Sequence, residues 1–188
     1  MRFLACALIL IGSTPLDLAA QSTPHTDSRG SISGVFGGGR TWDDEGGLGS
    51  GPAIGGRVEW RLFGTTAVEG SIDALSHDRS GGFFEAEGRT VFFGATLLHR
   101  FANDTSRAQF YLLGGVHLAK HSGSTTFDGV RIDRDSTDPG YHFGGGIAIR
   151  IGERLEVGPE ARFYIIQPGN DSDPAMAYWI GGRLGLRF

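Results

Sequence analysis

Apolar residues recur at every second position through most of this chain, and this alternation constrains its fold more than any other feature. A period of two is typical of a β-strand with one apolar and one polar face, whereas a helix would repeat every 3.6 residues. Eight such runs follow one another, at 31–42, 53–63, 66–75, 89–101, 107–120, 141–151, 155–166 and 176–188. The alternation therefore predicts an all-β chain.

The connections between the runs alternate in length. The short ones are 64–66, 102–106 and 152–154, and the long ones are 43–52, 76–88, 121–140 and 167–175. Because consecutive antiparallel strands reverse direction, every tight turn is expected at one end of the sheet and every long loop at the other. This asymmetry is typical of outer-membrane barrels, whose strands need about 9–11 residues to cross the bilayer.

The alternation also suits a soluble, lipocalin-like barrel whose apolar face points inward. The polar face of the strands distinguishes a membrane barrel from a soluble one, because it carries arginines and carboxylates together. Its charged residues are Arg57, Arg61, Arg100, Arg150, Arg162, Arg183, Arg187, Glu59, Glu69, Asp73, Glu156 and Glu160. Eight strands enclose a space that side chains just fill, and paired charges satisfy one another there. The charges therefore favour a membrane barrel with its apolar face towards lipid.

Turn lengths and a plausible strand register predict which of these charges meet. A three-residue turn at 64–66 sets Arg61 opposite Glu69, for example. The other predicted pairs are Arg57–Asp73, Arg150–Glu156, Glu160–Arg183 and Glu156–Arg187. We therefore predict a structural salt-bridge network in the lumen. Its members are Arg57, Glu59, Arg61, Glu69, Asp73, Arg150, Glu156, Glu160, Arg162, Arg183 and Arg187.

Aromatic residues cluster near both ends of the predicted strands. Those near the tight turns are Trp60, Phe63, Phe101, Phe110 and Phe188, and those towards the long loops are Trp42, Tyr141, Phe163 and Tyr178. The two interfaces of a membrane favour two such bands. Ordinary core aromatics would not collect at both ends.

The last run ends on Phe188, with Leu184 and Leu186 in phase and Gly182 interrupting the pattern. It resembles the final strand of small Gram-negative outer-membrane β-barrel proteins of the OmpA, OmpX and opacity-protein kind. The resemblance covers residues 31–188, by pattern more than by motif. It implies an eight-stranded antiparallel up-and-down transmembrane β-barrel. It also implies that Leu184, Leu186 and Phe188 form the signal read by the barrel-assembly machinery.

The N-terminal segment has the layout of a secretory signal peptide. A positive start at Arg2 precedes an apolar run at 3–12, and Ala19 and Ala20 offer a small-residue cleavage site. We predict a signal peptide at 1–20, a flexible lead-in at 21–30 and a single barrel domain at 31–188. Cys6 is the only cysteine, so the mature chain is expected to contain no disulfide.

Several motifs suggest a phosphate-binding or metal-binding site, but a structural role in a β-strand explains each of them better. The glycines at 34–39 and 144–146 are followed by strand or loop, whereas a phosphate loop needs a following helix. His117 and His121 lie about 13 Å apart if they share a strand, too far to share a metal ion. His142 can approach His117 from the next strand, yet polar filling of the lumen is the favoured interpretation.

An enzymatic role is disfavoured. A resemblance to the lipid A deacylases of this fold would require a His, a Ser two residues later and a Glu further along the chain. Two residues after His142 this chain has Gly144 instead of a serine. Adjacent arginines make salt bridges the better account of Glu156 and Glu160. We therefore predict no catalytic residue, no cofactor and no metal.

The sequence thus predicts an outer-membrane protein with a structural or surface-interaction role through four long external loops. The alternative is a narrow channel or lateral-diffusion path for small molecules, including hydrophobic ones. The expected partners are the lipid bilayer, lipopolysaccharide, the barrel-assembly machinery and periplasmic chaperones. A net charge of −4 argues against nucleic acid. The barrel is expected to be a monomer, and the pattern names no partner for the loops.

Overall fold

The computed structural model describes residues 29–43, 46–81, 84–101, 106–127, 130–168 and 173–188. The predicted signal peptide at 1–20 and residues 21–28 of the predicted lead-in lie outside this part of the chain. Gly30 belongs to the first strand, so the predicted lead-in extends one residue too far. The described residues contain no helix long and apolar enough to cross a membrane.

Eight antiparallel strands form a closed barrel in chain order. They are β1 (Gly30–Asp43), β2 (Gly46–Phe63), β3 (Thr66–Gly81), β4 (Phe84–Arg100), β5 (Ala108–Phe127), β6 (Val130–Ile151), β7 (Leu155–Ile166) and β8 (Ala175–Arg187). Strand β8 closes the barrel by pairing with β1, and Gly30 and Phe188 exchange backbone hydrogen bonds of 3.1 and 3.0 Å at this seam. The predicted eight-stranded up-and-down fold is confirmed.

Successive residues of each strand lie alternately on the inner and the outer face of the barrel, as the period of two predicts. Phe92 is 1% exposed and its neighbour Phe93 is 48% exposed. Leu98 is likewise buried while Leu97 faces outward, so even the mixed fourth run keeps its predicted faces. The outer wall carries exposed large apolar side chains on every strand except β7, whose outer positions are half-buried or hold Pro159 and Ala161. Such a surface is stable against hydrocarbon but not against water.

Three of the four predicted long loops are largely strand. Strands β2 and β3 extend to Gly46 and Gly81, and β5 and β6 extend to Phe127 and Val130. These outer segments consist mainly of Gly, Ser, Thr and Asp, which hide the apolar alternation. Backbone pairing continues there without it, because ladder hydrogen bonds do not depend on an apolar face.

The predicted β2–β3 register is wrong by two residues. Arg61 lies opposite Ala67 instead of Glu69, and Arg57 lies opposite Ser71 instead of Asp73. The turn comprises only Gly64, with a positive φ of 51°, and Thr65, and the register shifts again between Arg61 and Phe63. The turn is two residues long instead of three, which displaces the pairing by one residue, and the shift between Arg61 and Phe63 displaces it by another. The β6–β7 turn at 152–154 agrees with its prediction and sets Arg150 opposite Glu156.

Glycines allow close approach where the barrel closes. Gly37 of β1 lies directly opposite Gly181 of β8. A Cβ atom on Gly37 would collide with the carbonyl oxygen of Ile180, and one on Gly181 with that of Phe36. The glycine-rich segment at 34–39 therefore serves the seam between the first and last strands, and no helix follows it.

Candidate functional site

The centre of the lumen is built around the carboxylate of Glu69. Three guanidinium groups from other strands surround it: Arg162 Nη2 at 2.5 Å, Arg183 Nη1 at 3.4 Å and Arg57 Nε at 3.6 Å. All four side chains are almost fully buried. Because β2, β3, β7 and β8 contribute one residue each, the cluster ties opposite walls of the barrel together.

Glu160 is the second acceptor of this cluster. It accepts hydrogen bonds of 2.7 Å from Arg162 Nε and from the hydroxyl of Tyr111. Arg183 and Arg57 lie 3.5 and 3.8 Å from it. The glycine opposite Tyr111, Gly146, leaves room for the phenol ring, since a Cβ atom there would lie 2.5 Å from the hydroxyl oxygen.

A second group of charges lies nearer the tight-turn end. Glu59 contacts Arg100 at 2.8 Å and Arg183 at 2.9 Å, and Arg100 also reaches Glu156 at 3.3 Å. Glu59 and Glu69 are direct cross-strand neighbours of like charge. Arg183 bridges them, so the repulsion expected of such a pair is compensated.

The opposite end of the network is formed by Asp73. It forms an ion pair with Arg57 and accepts a 2.7 Å hydrogen bond from the hydroxyl of Tyr164. Trp179 Nε1 donates to the same hydroxyl at 3.2 Å. The Arg57 guanidinium also lies over the Trp179 ring, 5.6 Å from its centroid.

Beyond Asp73 the lumen is mainly apolar, although polar residues such as Thr41 and Thr90 are buried there too, and the sequence did not predict this change. One cluster of buried side chains fills the barrel towards the long hairpins: Val35, Ala53, Leu75, Phe92, Ala119, Tyr164, Ile166, Ala177 and Trp179. Phe92 stacks on Tyr164 at 4.1 Å between centroids. The only indication of this apolar layer in the sequence was that the inward-facing positions of the strands include both apolar and polar residues. A charged layer and a mainly apolar layer thus fill successive levels of the same lumen.

Two buried histidines lie beside this apolar layer. The rings of His117 and His142 are 5.6 Å apart, and both pack against Tyr164. His142 Nε2 lies 2.9 Å from the hydroxyl of Thr96. No group of three potential ligands that could hold a metal ion occurs among the described residues. The approach of the two rings agrees with the prediction that His142 can reach His117 from the next strand.

The structure brings together most of the predicted network. The ion pairs Arg57–Asp73 and Glu160–Arg183 are present, and Arg187 lies 4.0 Å from Glu156. Arg61 lies opposite Ala67 in the ladder instead of opposite Glu69, and it lines a recess at the tight-turn end together with Arg150, Arg187 and Glu156. Arg100 joins Glu59 and Glu156 although none of the predicted pairs included it.

The predicted assembly residues lie on the outer wall. Leu184, Leu186 and Phe188 all face outward on or just after β8, and Phe188 lies 6.5 Å from Trp60. At the other edge of the apolar wall, Trp42 contacts Phe163 and Tyr178 at 5.6 Å each. The structure thus places aromatic clusters at both edges. The recognition of the last strand by the assembly machinery stays a prediction.

These features define a class of protein before any comparison: a closed barrel with a lipid-facing wall and a filled lumen. The family model described as "Outer membrane protein beta-barrel domain" matches residues 4–188. The chain therefore belongs to this family, and the protein is located in the bacterial outer membrane. A comparison with curated protein sequences finds no match.

Solved structures share the fold at low sequence identity. Neisserial surface protein A is 13% identical with a TM-score of 0.68, and the match covers 86% of this chain and 98% of that one. The attachment invasion locus protein Ail of Yersinia pestis is 16% identical with a TM-score of 0.56, covering 85% and 97%. OprG from Pseudomonas aeruginosa is 13% identical with a TM-score of 0.53, covering 84% and 96%. These likenesses establish the architecture alone.

Proposed function

We propose that this barrel is a non-conducting, non-enzymatic protein of the outer membrane with a structural and surface-interaction role. The observation that carries the proposal is the filled lumen. Arg57, Arg162, Glu69 and Glu160 are fully buried in its charged layer. Phe92 and Tyr164 stack across the apolar layer above it.

Two different barriers oppose solute passage. An ion entering the apolar layer would lose most of its hydration to hydrocarbon and ring surfaces, with few polar groups such as the Thr90 hydroxyl in reach, and this is costly in a low-dielectric environment. An ion entering the charged layer would have to displace guanidinium–carboxylate contacts as short as 2.5 Å. The filled lumen therefore supports a sealed interior better than it supports a narrow channel, which is the alternative function.

The interaction role follows from the long hairpins. In outer-membrane barrels the tight turns face the periplasm and the longer connections face outward. Here β3–β4 and β5–β6 continue as paired strands well beyond the last β6–β7 pair, Gly140–Ile166. Paired strands present side chains in fixed positions, which suits recognition better than a loose loop would.

Conductance in planar lipid bilayers tests the proposal. We expect the purified, refolded protein to produce no discrete conductance steps, and a refolded general porin serves as the positive control. A variant with the apolar layer opened, Phe92→Ala/Tyr164→Ala, tests whether that layer contributes to the seal. Discrete steps from the wild-type protein, scaling with its amount, would overturn the proposal in favour of the channel.

A further inference from the structure

Arginines lie directly opposite one another at the tight-turn end of the barrel. Three cross-strand backbone hydrogen bonds there each join two arginines. The pairs, with the amide donor first, are Arg61–Arg29 at 2.9 Å, Arg150–Arg107 at 2.8 Å and Arg187–Arg154 at 2.8 Å. Each pair continues the register of its two strands by one position. Like charges directly opposite each other destabilise a sheet, so this arrangement costs stability unless an anion lies between the charges. We call these six residues the arginine rim.

The side chains of the arginine rim belong to the lumen face. Arg61 follows the buried Glu59 by two residues, and Arg154 precedes the buried Glu156 by two. The other four rim residues lie two or four positions from buried residues of the same strands, namely Ser31, Gln109, Ala148 and Arg183. Because side chains alternate between the faces of a strand, all six are directed towards the mouth of the lumen and away from lipid.

Carboxylates balance only part of this charge. The charged residues that line a recess in the mouth are Arg29, Arg61, Arg100, Arg150, Arg187, Glu59 and Glu156. Glu59 already contacts Arg100 and Arg183, at 2.8 and 2.9 Å. Arg61 and Arg150 have further interactions within the protein, yet the described lining holds five arginines against two glutamates. The recess therefore has an excess of positive charge, whichever arginine pairs with which glutamate.

We propose that the arginine rim binds a soluble anion that carries several phosphate groups, on the periplasmic side of the membrane. The tight turns of outer-membrane barrels face the periplasm, so the ligand comes from there. Guanidinium groups suit phosphate because their forked donors bind two of its oxygens at once. Linked phosphates lie between the opposed arginines and offset their repulsion. The lumen-facing positions favour a soluble anion over the headgroups of the surrounding lipid.

Inorganic tripolyphosphate is the probe for this site. Isothermal titration calorimetry of the refolded protein in a nonionic detergent measures its binding, and we expect the affinity to fall with added salt. Orthophosphate is expected to bind more weakly, since it spans fewer arginines. Tripolyphosphate should also raise the urea concentration at which the protein unfolds in lipid vesicles, because a ligand that binds only the folded state stabilises it.

Two triple variants with the same change in net charge separate the arginine rim from general charge attraction. Arg29→Gln/Arg107→Gln/Arg154→Gln, the rim variant, removes the exposed member of each opposed pair. Arg40→Gln/Arg89→Gln/Lys120→Gln, the control variant, removes three exposed basic residues towards the long hairpins.

The two variants are expected to differ in affinity. The rim variant should bind tripolyphosphate about tenfold or more weakly than the wild-type protein, since it loses charge-assisted hydrogen bonds. The control variant should bind like the wild-type protein. Its substituted positions lie about 35 Å or more along their strands from the arginines of the tight-turn end, beyond the Debye length of about 10 Å at 0.1 M salt.

Stability distinguishes a ligand site from a structural role of these arginines. Without anion, the rim variant should unfold at the same urea concentration as the wild-type protein or at a higher one, because it relieves repulsion within each pair. Three results would overturn the proposal: no binding to the wild-type protein, equal weakening by the two triple variants, or earlier unfolding of the rim variant without anion. Gel mobility before and after heating checks folding, and Arg154→Gln with Arg40→Gln repeats the comparison if a triple variant does not fold.

A lipid experiment tests the source of the phosphate. Native mass spectrometry of protein released from nanodiscs of phosphatidylcholine and phosphatidylglycerol counts the anionic lipids that stay bound. We expect the wild-type protein and the rim variant to retain phosphatidylglycerol equally, and greater retention by the wild-type protein would replace the soluble anion by a lipid headgroup. Conductance measurements test the sealed lumen separately, so the failure of one proposal leaves the other standing.

Discussion

Glu69→Ala should be among the most destabilising single changes in this barrel. The substitution removes the carboxylate that lies within 3.6 Å of Arg57, Arg162 and Arg183. Breaking a buried ion pair by removing one partner costs about 3–5 kcal/mol, because the other charge is left uncompensated. Each arginine here keeps a second carboxylate: Asp73, Glu160 and Glu59 respectively. We therefore expect a loss at the lower end of that range, about 3 kcal/mol.

The free energy of unfolding can be measured by urea titration in lipid vesicles, followed by tryptophan fluorescence. Glu153→Ala is the matched control, since Glu153 is exposed in the tight turn at 152–154. The double variant Glu69→Ala/Arg162→Ala should lose less than the sum of the two single losses, because the pair is in direct contact. A Glu69→Ala loss no greater than that of Glu153→Ala, or strict additivity with Arg162→Ala, would refute this account of the network.

Three further predictions follow from the fold. Unboiled protein should migrate faster than boiled protein on a denaturing gel, because a closed barrel keeps every strand paired in detergent; identical mobility would contradict the closed barrel. Arg61→Ala should destabilise less than Glu69→Ala, since Arg61 is half-buried at the tight-turn end whereas Glu69 is buried among three arginines; equal losses would contradict this difference. Ile180→Arg on the lipid face should cost about 2–4 kcal/mol if the position lies near the bilayer midplane. Ile180→Cys should resist a water-soluble thiol reagent in intact membranes and react after unfolding, and ready labelling of the native protein would contradict the outward face.

The faces of the strands could be predicted from the sequence because alternation is a local property. A side chain at Phe93 or Leu97 points away from its neighbour whatever the rest of the chain does. The identity of the charged residues in the lumen followed from the same parity. The pairing of those charges did not, because it depends on register, and register depends on where a turn tightens and where a bulge lies. One bulge between Arg61 and Phe63 and a shorter turn were enough to move Arg61 from the position opposite Glu69 to the position opposite Ala67.

Sequence alone thus determined the strand number, the inward and outward faces and the membrane class, since all three are encoded in short-range periodicity. Tertiary structure decided the rest. Closure of the barrel brings Glu69 within reach of Arg162 and Arg183, which lie 93 and 114 residues away along the chain. Closure also stacks Phe92 on Tyr164. The β6–β7 ladder ends at Gly140–Ile166, so within the described part of the chain β6 extends beyond its pairing with β7. These contacts join distant segments through space, and no local pattern records them.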